Sequence, residues 1–303
     1  YTFSDYYLSD AQNYLVVRYQ LQDETYRYQT LATNTQPTTD WTQALQTFIV
    51  PTNYPSPVVN LTIFHSIKGA GSLTTSDFSL TTSNPLPYGI VSLNFDDGWR
   101  SIYDTALPML EKSGLSSTQY IITGAFTDPA YINQTEVLNL QSDGQEVAAH
   151  TKTHPHLPTL SDTDIQNEIA GSRQDLLNIG INEVNSFAYP YGQSNDFVEQ
   201  TVINSGFTNA RGVDDATAND PGIDRYQLRS YSVESTTTID QVRQWINDAL
   251  ANKQWAILVF HQIDHSQDQY SNTPETLQQI LDYLTANHVH VLTNSQASQI
   301  LWP

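Results

Sequence analysis

The chain has 303 residues, 32 of them acidic and 12 basic, for a formal net charge of −20, and it contains no cysteine. That charge disfavours nucleic acid and anionic lipid as partners, since few cations are available to displace counterions from phosphates. The missing thiols exclude disulfides and thiolate metal ligands.

No apolar run reaches membrane-spanning length and no signal-peptide pattern is present. Tyr1 rather than Met opens the chain, as it would if a leader had been removed. The length suits one large or two ordinary domains, each with its own core. The charge leaves a neutral or cationic polymer as the expected partner, and the mixture of scarce Lys with plentiful Thr, Ser, Asn, Gln and Tyr suits an exposed, sugar-facing surface.

Residues 1–87 read as strands. Residues 14–19 and 26–28 flank a polar Asp23-Glu24 turn, and 41–50 and 58–65 follow, rich in β-branched and aromatic side chains between Pro, Asn and Gly breaks. Short antiparallel strands at this spacing predict an all-β sandwich. Thr62, Phe64 and residues 71–80 resemble the closing strands of jelly-roll carbohydrate-binding modules. The segment is short for a complete jelly roll, and strands are expected upstream. Tyr6, Tyr7, Tyr26, Tyr28 and Trp41 are candidates to stack on sugar rings, with a sandwich core as the other use of such residues.

From residue 88 to 303 the pattern changes to apolar runs alternating with amphipathic helices, which predicts a mainly parallel α/β sheet or barrel. Candidate strands are 90–94, 118–123, 146–149, 186–188, 208–211, 256–261 and 289–292. Ser161 and Asp164 form a capping box before Ile165 and Ile169, and Gly180 ends that helix. Ile239, Val242, Ile246, Ala249 and Leu250 share a helical face, as do Leu277, Ile280, Leu281 and Leu284 after Pro274. In such folds chemistry belongs at the C-terminal ends of the strands.

Four strand ends carry chemistry-bearing side chains. Asp96 and Asp97 follow the first run and precede Gly98. Alone, Asp-Asp-Gly reads as a turn, yet two adjacent carboxylates at a buried lip are costly unless a cation or proton lies between them. His150-Thr-Lys-Thr-His154 follows the third run, its imidazoles four apart. Two His and one carboxylate with open positions make a common catalytic metal site. His156, between Pro155 and Leu157, reads as structural. Phe187-Ala-Tyr-Pro-Tyr-Gly192 and Leu258-Val-Phe-His261 complete the set.

Together these motifs resemble the NodB-homology polysaccharide deacetylases, carbohydrate esterase family four, over residues 88–300. The resemblance implies a distorted (β/α)7-type barrel catalytic domain over 88–303, preceded by the small all-β sandwich. It also implies that Asp97, His150 and His154 bind one divalent metal, Zn²⁺ first, with Co²⁺, Ni²⁺ or Mn²⁺ as alternatives. Asp96 would be the general base, His261 the general acid, and the backbone N–H of Tyr191 the oxyanion donor. Thr151 and Thr153 would stabilise the loop.

There are departures. Many members carry Arg where this chain has Ala188, and the usual acid pair followed by Trp is not recognisable at residues 212–216. Arg211, at a neighbouring strand end, is the candidate to supply the missing positive charge near Asp96, with a simple surface Arg as the other reading. The Phe-Ala-Tyr-Pro-Tyr-Gly form resembles that of poly-N-acetylglucosamine deacetylases.

The expected activity is therefore N-deacetylation of an amino-sugar polysaccharide, secreted or at the cell surface, on an acetylated polysaccharide or oligosaccharide partner. O-deacetylation of xylan or another glycan is the alternative, and a non-catalytic glycan-binding protein the second. A cyclic-imide or purine-amide hydrolase is disfavoured by the attached sandwich.

Overall fold

The computed structural model describes residues 1–34, 37–48, 50–51, 54–81, 86–213, 216–220 and 222–302. The chain divides into two compact units, Tyr1–Asn84 and Pro85–Pro303.

The first unit is built from β1 (Thr2–Ser9), β2 (Asn13–Leu21), β3 (Tyr26–Asn34), β4 (Thr42–Thr47), β5 (Val58–Ile67) and β6 (Leu73–Thr81). They form two antiparallel three-stranded sheets, ordered β4-β1-β6 and β3-β2-β5. Strict alternation along β2 buries Leu15, Val17, Tyr19 and Leu21, the pattern of a strand with one face on a core. Phe3 of the other sheet and Phe48 join Leu15, Val17 and Tyr19 in one hydrophobic cluster, which makes the unit a sandwich. A polar lock crosses it: His65 Nδ1 lies 2.7 Å from Asp5 Oδ2 and His65 Nε2 lies 3.1 Å from Asn13 Oδ1.

Of the five aromatics proposed as sugar platforms, Tyr6, Tyr26, Tyr28 and Trp41 are exposed, whereas Tyr7 is 4% exposed. Tyr7 shares the inward face of β1 with Phe3 and Asp5, and its ring meets His65 edge-on at 4.8 Å. The period of two along a strand sends Tyr6 out and Tyr7 in.

The second unit has an eight-stranded sheet in which every pairing is parallel. Its strands are β7 (Ile90–Phe95), β8 (Thr118–Ile121), β9 (Glu146–Ala149), β10 (Ser186–Ala188), β11 (Asn209–Arg211), β12 (Tyr231–Ser232), β13 (Trp255–Phe260) and β16 (His290–Val291). A two-residue parallel pair, β14 (Gln262–Ile263) and β15 (Ser271–Asn272), stands apart just after β13. The order is β11-β10-β9-β8-β7-β13-β12, with β16 also paired to β7. β7 and β13 are buried at every residue, as expected of strands covered on both faces.

Around the sheet run α1 (Leu107–Ser113), α2 (Gln134–Ser142), α3 (Asp162–Ile179), α4 (Asp196–Asn204), α5 (Ile239–Asn252), α6 (Pro274–Ala286) and α7 (Asn294–Leu301). Ser161 caps α3, accepting from the Asp164 N–H at 3.3 Å, and α3 stops at Gly180 with φ 110°. The Asp164 carboxylate accepts the Ser161 hydroxyl at 2.6 Å.

The sheet curls. Arg211 on β11 is separated from β7 by three strands, yet its side chain reaches Asn94 and Asp96 across the concave side. Accumulated strand twist gives this distorted (β/α)7 barrel and brings distant strand ends together.

Candidate active site and metal centre

Asp96 and Asp97 leave β7 in opposite roles. Asp96 continues inward: its N–H donates to the Phe260 carbonyl at 2.9 Å and its side chain is buried. Asp97 turns into the left-handed region, φ 70°, followed by Gly98 at φ 76°. That conformation is uncommon for a side-chain-bearing residue and marks a local constraint.

Asp97 Oδ2 accepts the Trp99 indole N–H at 2.9 Å. Its Oδ1 lies 3.5 Å from His150 Nε2 and 3.6 Å from His154 Nε2, and it is buried without a hydrogen-bond partner among the described residues. The three ligand atoms all fall within 4.8 Å of one another, and this is the one such His/Asp/Glu group among the described residues. His150 Nδ1 hydrogen-bonds the Ala188 carbonyl at 2.8 Å, so Nδ1 carries the proton and the Nε2 lone pair faces Asp97. Burial, with His154 nearby, pushes the His150 pKa down to about 4 against the pull of Asp96 and Asp97. The imidazole is therefore neutral at pH 7, as a metal ligand must be. An orphaned carboxylate oxygen facing two imidazoles fits a divalent cation well.

The loop after β9 holds the two imidazoles by a turn of unusual backbone. Thr151 and His154 both have positive φ, 64° and 58°. Thr151 Oγ1 donates to the His150 carbonyl at 2.5 Å and accepts the His154 N–H at 3.0 Å. Glu168 on α3 accepts the N–H groups of Lys152 and Thr153 at 2.8 and 2.9 Å, plus the Thr153 hydroxyl at 2.7 Å. Glu168 has no signal in the sequence, where the helical period exposes only the apolar side of α3.

Arg211 is fully buried and hydrogen-bonds Asp96 Oδ1 through Nη2. Its Nε donates to Asn94 Oδ1 at 3.0 Å, its Nη1 to the Gly212 carbonyl at 3.1 Å, and its guanidinium carbon lies 4.4 Å from the Tyr120 ring centroid. Arg211 and Ala188 are register partners on β11 and β10. The guanidinium thus arrives from the neighbouring strand, at the level where Ala188 offers only a methyl group.

Burial alone would raise the Asp96 pKa. The charges of Arg211, His150 and His261, with the Arg211 hydrogen bond, outweigh it and hold the carboxyl below its ordinary value. His261 follows β13, with Nε2 4.0 Å from Asp96 Oδ2 and its ring 5.0 Å from that of Tyr270. Tyr191 has φ 57° and is half exposed. Its ring stacks on His156 at 4.0 Å and meets the edge of His154 at 4.6 Å.

The structure therefore brings Asp96, Asp97, His150, His154, His261 and Arg211 into one cluster with Tyr191 at its rim. His156 stays outside the ligand set, bonded through Nδ1 to Gln193 Oε1 at 3.0 Å. Asp214 and Asp215, in the stretch where an acid pair followed by Trp is usual, lie outside the described residues. Trp99 and Tyr131, which line a cavity reaching Asp97 and His154, were not singled out from sequence, and only the position of Trp99 next to the acid pair could have flagged it.

Two solved structures share this architecture. One is the Xyl-CE4 domain of a multidomain xylanase from the hindgut metagenome of Trinervitermes trinervoides, TM-score 0.50 and 23% identity over 70% of this chain and 90% of that one. The other is a carbohydrate esterase family 4 pseudoenzyme from Bacillus anthracis, TM-score 0.54 and 18% identity over 71% of this chain and 66% of that one. At these identities the likeness is one of fold.

Residues 83–210 match the polysaccharide deacetylase family. A putative polysaccharide deacetylase of Bacillus subtilis, YxkH, is 26% identical over 39% of this chain and 42% of its own length. Chitin deacetylase 1 of Cryptococcus neoformans is 25% identical over 38% of this chain and 24% of its own. The bifunctional xylanase/xylan deacetylase of Cellvibrio japonicus is 26% identical over 38% of this chain and 17% of its own. The chain spans less than half the length of these relatives.

Proposed function

We propose that the chain is a metal-dependent hydrolase removing N-acetyl groups from an amino-sugar polysaccharide, with Asp97, His150 and His154 holding the cation. The observation that carries this reading is the division of the acid pair. Asp97 Oδ1 is orphaned beside two imidazoles, while Asp96 Oδ2 is orphaned 4.0 Å from His261. A divalent cation held by Asp97, His150 and His154 would supply Lewis acidity, polarising the acetyl carbonyl and lowering the pKa of water well below its ordinary value.

The chain's own groups do the rest. Asp96, kept ionised by Arg211, takes a proton from the attacking water as the C–O bond forms. The Tyr191 backbone N–H donates to the developing oxyanion, a contribution typically worth about 3–4 kcal/mol. His261 gives a proton to the leaving nitrogen as the C–N bond breaks, so the products are acetate and a free amine. Arg211 is a positioning residue that acts through Asp96. The match to the polysaccharide deacetylase family and the relative named as a chitin deacetylase support this reading.

A second reading, O-deacetylation of xylan, is favoured by the relative named as a xylan deacetylase. The exposed Tyr6, Tyr26, Tyr28 and Trp41 suit the sandwich to docking carbohydrate, and a polymer substrate suits a secreted or cell-surface protein.

Chelation should abolish acetate release from acetylated chito-oligosaccharides, and Zn²⁺ or Co²⁺ should restore it. Activity untouched by chelation and by Asp96→Asn would sink the mechanism. Release from acetylated xylan alone would select the second reading.

A further inference from the structure

Beside the proposed cation ligands lies a cavity of about 440 Å³ that reaches Asp97 and His154 and is lined by Trp99, Tyr131, Ile122 and Lys152. Its aromatic wall is held in place by the backbone. The Trp99 and Tyr131 rings stack at 4.6 Å and 25°, and the two residues form an antiparallel bridge. The Arg100 N–H donates to the Ala130 carbonyl at 2.8 Å, and the Ile132 N–H to the Gly98 carbonyl at 2.9 Å. The Arg100 guanidinium donates to the Tyr131 carbonyl at 2.8 Å and pairs with Glu136, whose other oxygen takes the Asn133 N–H at the start of α2.

The opposite loops are equally close. Gly124 donates its N–H to the Lys152 carbonyl at 2.8 Å, and a Cβ at Gly124 would lie 2.4 Å from that oxygen. The stack is also tied to the centre, because the Trp99 indole N–H holds Asp97 Oδ2.

Charge narrows the occupant. Lys152, the one Lys or Arg lining the cavity, is paired with Asp175 at 3.0 Å, so beyond the cation that Asp97 and His154 would hold, no free positive charge lies along the Trp99–Tyr131 wall to hold a uronate or phosphate. The combination of apolar ring surface, a few polar groups and a volume within the usual range for small-ligand sites suits a sugar ring, with its apolar C–H faces.

We propose that this cavity is a subsite for a neutral or basic pyranose unit of the substrate glycan, packed against the Trp99–Tyr131 wall next to the unit that is deacetylated. Its place beside the reaction rests on the deacetylase reading, whereas binding can be measured without turnover. The probes are oligosaccharides that carry no acetyl group: xylohexaose and the fully deacetylated hexamer of chitin, with an oligogalacturonate as the acidic control, titrated calorimetrically into the Zn²⁺-loaded protein. At least one of the first two should bind and the oligogalacturonate should not. Tyr131→Ala should weaken that binding about tenfold, and Tyr131→Phe, which keeps the ring, should stay within about twofold of the parent.

The subsite is overturned if neither neutral nor basic hexamer binds, if Tyr131→Ala binds as the parent does, if Tyr131→Phe loses as much as Tyr131→Ala, or if the oligogalacturonate binds equally. Acetate release is assayed on the same preparation with acetylated oligomers. Tyr131-dependent binding without acetate release would remove the deacetylase reading and leave the subsite standing.

Discussion

Asp96 and Arg211 are both buried, so each charge is compensated by the other. The Asp96 carboxyl titrates below its unfolded value of about 3.9. The pair therefore stabilises the fold above that pH, and the contribution is lost as acidification passes through the lowered folded value. With Arg211→Met, the burial that now opposes ionisation is left less compensated and the Asp96 pKa rises. The acidic limb of the kcat/KM profile should then move to higher pH, and stability should fall by about 3–5 kcal/mol for a broken buried pair. Arg211→Lys should fall between the two. A limb that stays in place would remove Arg211 from any part in ionising the base. Asp96→Asn should cost about 10²–10⁴ in kcat with the metal content unchanged, measured by elemental analysis alongside turnover.

The loop after β9 and the helix that supports it show what can be anticipated from sequence. His150 and His154 were legible because the two imidazoles are four residues apart at one strand end, so chain adjacency substitutes for spatial knowledge. Arg211 was legible only as a charge at a neighbouring strand end, and its register with Ala188 brings its backbone to the level of that residue. Glu168 and the Trp99–Tyr131 wall were not legible, because their contacts depend on how loops from different strands meet. The two-residue β12 left no periodicity to detect. Glu168→Ala frees three loop donors at once and should weaken Zn²⁺ binding about 10–100-fold, the usual cost of losing support behind a ligand, read by competition with a chromophoric chelator. At the far end of α5, Lys253 closes the helix with φ 53°, its N–H reaching the Ala249 and Leu250 carbonyls. Glycine adopts that conformation without the side-chain penalty, so Lys253→Gly should raise stability by about 1 kcal/mol in a thermal melt and leave turnover alone.

The two units have separate cores, one built from Phe3, Leu15, Val17, Tyr19 and Phe48, the other from the clusters around the parallel sheet. Calorimetry should resolve two transitions, of which Zn²⁺ at about a hundred times its Kd raises only the one belonging to the barrel, by about 2.7 kcal/mol. A shift of both would mean that the units melt together. Within the barrel, Asn94 accepts from Arg211 and exchanges hydrogen bonds with Asn294, 200 residues along the chain at the start of α7. Asn294 also donates to the Tyr120 hydroxyl at 2.7 Å. The arrangement around Asp96 is thus tied into a segment synthesised long after Asp96 itself. During translation β7 emerges early and must wait, apolar and unpaired on the β16 and β13 sides, until the last helices exist. Such long-range closure is slow and leaves sticky intermediates exposed, so ribosome-stalled chains ending before Asn294 should be protease-sensitive throughout the barrel.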